Sequence, residues 1–68
     1  MDIEHLVTMA NEITAFFESE DKPTALAQSI NHLRKFWDPR MRKQIVAFAA
    51  SGGHGLSELS QRMVAQLK

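Results

Sequence analysis

His32-Leu33-Arg34-Lys35-Phe36-Trp37-Asp38-Pro39-Arg40-Met41-Arg42-Lys43 is the stretch on which the fold turns. It holds five of the eight Lys and Arg residues, the single Trp and one of the two prolines. Pro39 drives Asp38 out of the helical region of backbone space. Asp38 then offers its carboxylate to the amides of the next turn, and Pro39 starts that turn with a pre-set φ and no amide to waste. One helix therefore ends near Phe36 and another begins at Pro39. The cations on the two sides of the break are not equivalent. Arg34 and Lys35 fall in the last turn of a helix, where positive charge opposes the macrodipole favourably. Arg40, Arg42 and Lys43 fall in the first turns of the next, where it is disfavoured by ~0.3–1 kcal/mol each. An Asp38–Arg42 pair at i,i+4 would offset only a fraction of that.

Working outward, helix three runs from Pro39 to about Ala50, with Met41, Ile45, Phe48 and Ala49 on one face and Val46 beside them. The Ser51-Gly52-Gly53-His54-Gly55 loop stops it, since glycine suits the left-handed residue that follows a helix. A shorter helix follows over Leu56–Leu67, with Ser57 as its N-cap. Upstream, Asp21-Lys22-Pro23-Thr24 opens helix two, with Asp21 as N-cap and a stripe of Leu26, Ile30, Leu33 and Phe36 or Trp37. Helix one spans residues 3–18. Its Leu6, Met9, Ala10, Ile13, Phe16 and Phe17 follow the 3.6-residue period. No segment alternates with period two and no repeat occurs. The expected fold is all-α, a small bundle of three to four short helices forming one domain over residues 1–68.

A chain of 68 residues buries only ~60% of the surface it exposes when unfolded. Scaffolds of this size usually gain support from disulfides, metals or partners. There is no Cys, which removes disulfides and thiolate metal sites. Partner binding is thus expected on size alone, and self-association of the isolated chain is left open as one form of it. Met1–His5 has neither a basic n-region nor an apolar h-region, and no apolar run reaches the ~20 residues of a membrane span. A soluble cytoplasmic protein with no membrane partner is expected.

Catalytic chemistry finds little support. His5, His32 and His54 form no His-x₃-His pair and have no carboxylate at a metal-ligand spacing. There is no Gly-x-Ser-x-Gly elbow, and the glycine loop matches neither the phosphate-binding loop nor the dinucleotide fingerprint. No catalytic residue, metal ligand or cofactor-binding residue is assigned.

Net charge is zero, yet six acidic residues and no basic one lie in residues 1–21, against the basic stretch downstream. Three readings remain for those cations: pairing with Glu18, Glu20 and Asp21 inside the fold, contact with nucleic acid, or clamping of acidic groups on a protein partner. The absence of a basic excess counts against nucleic acid, and Arg and Trp are enriched among protein-interface anchors. The adjacent pairs Phe16-Phe17 and Phe36-Trp37 point ~100° apart on a helix, so one of each pair faces a second layer or a partner. Trp37, next to the Asp38-Pro39 turn, is expected to be the exposed member.

The stretch His32–Arg42 also resembles the hallmark of the delta subunit of NAD-dependent formate dehydrogenase. Leu6-Val7-Thr8-Met9-Ala10-Asn11-Glu12-Ile13 is similar to that family's opening L-V-x-M-A-N-x-I segment, and Gly52-Gly53-His54-Gly55-Leu56-Ser57 to its glycine turn. That family often continues a few residues past its last helix, whereas this sequence ends at Lys68. The resemblance implies a non-catalytic accessory subunit of a cytoplasmic enzyme that oxidises formate. Molybdenum or tungsten pterin, iron–sulfur clusters and flavin would sit in partner subunits, and none on this chain. Its implied role is to attach to the catalytic subunit and support assembly, cofactor retention or stability. Arg34, Phe36, Trp37, Pro39, Arg40 and Arg42 match as contact or structural residues. With Lys43 from the charge argument, the expected partner-binding set is Arg34, Phe36, Trp37, Arg40, Arg42 and Lys43. The alternative is a small nucleic-acid-binding or regulatory helical domain.

Overall fold

Four helices follow one another in the structure, a computed structural model that describes residues 2–67. They are α1 (Ile3–Phe16), α2 (Lys22–Phe36), α3 (Pro39–Ala50) and α4 (Glu58–Ala65). Among the described residues there is no strand, so the chain is all-α. Among the described residues no helix is long and apolar enough to cross a membrane.

Each helix starts on a side-chain cap. Asp2 accepts the Glu4 amide, Asp21 that of Thr24, Asp38 that of Met41 and Ser57 that of Ser60. Each cap satisfies an amide that has no partner within its helix. At Asp21, hydrogen bonding from Thr24, its side chain first and then its backbone amide, holds the carboxyl below its usual value. The stops are equally specific. α3 ends in a Schellman motif: the Gly53 amide reaches Phe48 O at 3.0 Å and the Gly52 amide reaches Ala49 O at 3.2 Å. Gly52 and Gly53 have φ of 125° and 62°, values that penalise any residue carrying a Cβ. α1 ends at Phe16, two residues short of the expected Glu18. Its last residues tighten into turns, with Glu18 N bonded to Ala15 O and Glu20 N to Phe17 O. The carboxylates of Glu18, Glu20 and Asp21 add to that end, since the helix dipole there repels anions.

α1 packs against all three other helices, and α4 does the same from the other side of the core. α2 and α3 are consecutive in the chain yet make the least contact of any pair. They diverge from the Trp37–Asp38 junction to flank α1 and α4. The core is one cluster in which Leu6, Leu33, Ile45 and Met63 are wholly inaccessible. Trp37 belongs to it, with only 4% of its surface exposed, whereas Phe36 is 64% exposed. The expected exposure of this aromatic pair is therefore reversed. Trp37 lies seven residues after Ile30 and four after Leu33, on the buried stripe, and its backbone leaves the helix at φ −92°, ψ 137°. Phe36 lies about 100° away from that stripe. In the other pair Phe16 is the outer member, at 79% exposure.

The buried side of α2 also carries Ala25 and Ser29, small residues that let neighbouring helices approach. The Ser29 hydroxyl is inaccessible and has no hydrogen-bond partner among the described residues. An orphaned buried polar group costs about 1–3 kcal/mol. Ser29→Ala is therefore expected to raise unfolding free energy by about 1 kcal/mol, read by urea denaturation. A loss of similar size would mean that the hydroxyl is satisfied.

Candidate functional site

The junction between α2 and α3 sorts the basic–aromatic stretch into two populations. Arg42, in the second turn of α3, turns its guanidinium back across the break. It donates to Arg34 O at 3.1 Å and to Trp37 O at 3.4 Å. Arg34 O is one of the four carbonyls that a helix leaves unpaired at its C-terminus. The cation thus sits where the dipole of α2 favours it, although the dipole of its own helix does not. Arg34 does the same for another element, donating to Gln66 O at 3.1 Å, the C-cap residue of α4. Two arginines that look outward-facing in sequence therefore cap the ends of neighbouring helices. The Asp38 carboxylate accepts the Met41 amide at 3.0 Å. Among the described residues the one ion pair is Glu58–Arg62, so Asp38 is not paired with Arg42 and the acidic end of α1 does not neutralise the basic stretch.

The second population faces solvent. Arg40 and Lys43 are exposed and make no hydrogen bond or ion pair among the described residues. Lys35 holds its ammonium 5.8 Å from the centre of the Phe36 ring, a cation–π contact. Of the six expected partner-binding residues, then, Arg40 and Lys43 lie outward without a hydrogen bond or ion pair among the described residues, and Phe36 lies outward with Lys35 and His32 against its ring. Arg34 and Arg42 have partners within the chain, and Trp37 lies in the core.

Beside the junction an aromatic row crosses from α1 to α2. The Phe16 and Phe17 rings meet edge-to-face at 5.0 Å, Phe17 and His32 at 6.4 Å, and His32 and Phe36 at 4.6 Å. The row borders a groove of about 380 Å³, also lined by Met9, Ile13, Trp37 and Met41, with Glu12 as its carboxylate. A second hollow, of about 410 Å³, is lined by Glu18, Glu20, Lys22, Glu58 and Arg62; its charges are mixed and two of them already form the ion pair. His5 and His54 are exposed, and no three acidic or histidine side chains gather as a metal ion would require among the described residues.

Sequence reasoning did not single out Asn11. Its side-chain amide donates to Gly55 O and accepts from the Ser57 amide, both at 2.9 Å. One residue of α1 thereby fixes both sides of the glycine loop before α4. Thr14 and Ser60 join hydroxyls at 2.9 Å one turn further on, both buried. A polar residue on the flank of the apolar stripe, opposite a glycine-rich loop, was the available signal.

The chain is thus a four-helix unit whose helix ends are capped and whose outward face carries aromatics and unpaired cations. A family profile described as the NADH-dependent formate dehydrogenase delta subunit FdsD matches residues 5–64. The chain belongs to that family. Comparisons with curated proteins and with solved structures give no match.

The division of labour among the arginines is directly measurable. Arg42→Ala is expected to lower stability by about 1.5–3 kcal/mol, the worth of a hydrogen bond made by a charged group. Arg40→Ala, at an exposed site without partners, should change it by less than ~0.5 kcal/mol. Equal effects of the two substitutions in urea denaturation would contradict this assignment.

Proposed function

We propose that this chain is a non-catalytic accessory subunit that binds the catalytic subunit of a cytoplasmic formate dehydrogenase and supports its assembly, cofactor retention or stability. The observation that carries the reading is the pair of unpaired cations, Arg40 and Lys43, at the start of α3. Their own helix disfavours them, nothing in the described chain neutralises them, and their removal would cost the fold little. Family membership supports the choice of partner, since a delta subunit implies other subunits of a formate dehydrogenase. Carboxylates on the catalytic subunit would complete these cations. Such complementarity steers encounter and fixes register more than it adds affinity.

The redox work belongs to the partners in this reading. Molybdenum or tungsten pterin, iron–sulfur clusters and flavin would reside in other subunits, and the delta chain would act on them through the stability of the assembly.

Arg40→Ala/Lys43→Ala is the clean test, because Arg42 is tied to the fold and its replacement would confound binding with stability. The double variant should melt like the wild type. It should co-purify with the catalytic subunit at least several-fold less well when the wash is raised from low to physiological salt. Recovery at the wild-type level in both washes would sink the proposed role of these cations.

A further inference from the structure

We infer that the outward face of α3 docks a helix of the catalytic subunit that is acidic opposite the start of α3 and uncharged beyond it. The inference rests on the reading of this chain as an accessory subunit and adds the surface and the kind of segment that covers it. Arg40, Lys43, Ala47 and Ala50 fall at i, i+3, i+7 and i+10 of α3, one face of a 3.6-residue helix. All four are exposed. Arg42 is not among them: its guanidinium is taken up by the carbonyls at the end of α2. The core is met from the other side of the helix, by Met41, Ile45, Val46, Phe48 and Ala49.

Charge decides what meets the first half of this face. Arg40 and Lys43 stand on the face itself, without an ion pair or hydrogen bond among the described residues. α3 holds no Asp or Glu. From Lys22 to Ser57 the one carboxylate is Asp38, against Lys22, Arg34, Lys35, Arg40, Arg42 and Lys43. Asp38 is held at the cap, accepting the Met41 amide at 3.0 Å, and even set against Arg40 it leaves Lys43 uncompensated. The positive end of the α3 dipole adds to the same field. The occupant is therefore acidic there. The second half of the face excludes one that is acidic throughout. Ala47 and Ala50 offer neither charge nor a hydrogen-bonding side chain, so a polyanion such as nucleic acid, which is held by cations along its track, finds none beyond Lys43. What alanine does permit is close approach, since the ~8–10 Å between packed helix axes depends on the side chains at the contact. A second copy meeting this chain α3 to α3 brings further positive charge and no carboxylate.

The experiment co-expresses the full-length chain with the catalytic subunit, with a photoreactive benzophenone amino acid in place of Ala47 or, as a control, of Gln28, exposed on α2. Irradiation should join the two subunits from position 47 and not from position 28. The linked peptide should carry Asp or Glu within two helical turns of the link, the span from Ala47 back to Arg40. Ala47→Gln, longer but neutral, should lower recovery of this chain on the purified catalytic subunit about fivefold or more by forcing the helices apart. Ala47→Ser, still small, should keep it, and at an exposed site neither should move the melting temperature of the isolated chain much. A link from position 28 alone, or wild-type recovery of Ala47→Gln, would overturn the face while leaving the accessory-subunit reading in place. A link from position 47 to a second copy of this chain, or to a peptide without acidic residues, would overturn the occupant. So would a gel shift of single-stranded DNA at physiological salt that Arg40→Ala/Lys43→Ala abolishes. Failure of the wild-type chain to co-purify would overturn both readings.

Discussion

The guanidinium of Arg42 on the C-terminal carbonyls of α2 is the contact from which the rest of the architecture follows. α2 and α3 are joined by only two residues, yet they make the least contact of any helix pair. Their angle is therefore fixed at the junction itself. Three groups fix it: Trp37 anchors the turn in the core, Asp38 caps α3, and Arg42 reaches back to Arg34 O and Trp37 O. Once the two helices diverge from that point, α1 and α4 fill the space between them, and the core closes around Leu6, Leu33, Ile45 and Met63. A small chain without disulfides holds its shape here through helix ends as much as through its modest apolar core.

The residues that carry the family resemblance divide along the same line. Asn11, from the opening segment, clasps the glycine turn through Gly55 O and the Ser57 amide, so two blocks far apart in sequence form one joint. Trp37, Asp38, Pro39 and Arg42 build the α2–α3 junction. Phe36 and Arg40, from the same hallmark, face outward. Most of the motif thus makes the fold, and a minority of it faces solvent.

Local chemistry was the part of the structure most legible in the sequence. Asp21, Asp38 and Ser57 cap the helices they were expected to cap, and the glycines stop α3. Those features depend on a few neighbouring residues. Tertiary choices were less legible. Periodicity says that Phe36 and Trp37 diverge, but which one enters the core depends on where α2 stops and how the chain leaves it. The carbonyl partners of Arg34 and Arg42 lie 32 and 8 residues away, beyond any helical spacing rule. The aromatic row needed the crossing of α1 and α2 to bring Phe17 to His32. A charged side chain at an unfavourable helix end needs an explanation; for Arg42 it lies in the neighbouring helix, and for Arg40 and Lys43 the described residues supply none.

The hallmark stretch is first a structural joint, with its indole inside and its phenyl ring outside. Trp37 is the single Trp of the chain, so its intrinsic fluorescence reports on that joint alone. With Trp37 buried, emission of the folded protein should be blue-shifted and resist quenching by iodide, then shift to the red and become quenchable in one transition as urea unfolds the chain. Water-like emission and full iodide quenching before unfolding would place the indole on the surface and contradict the account.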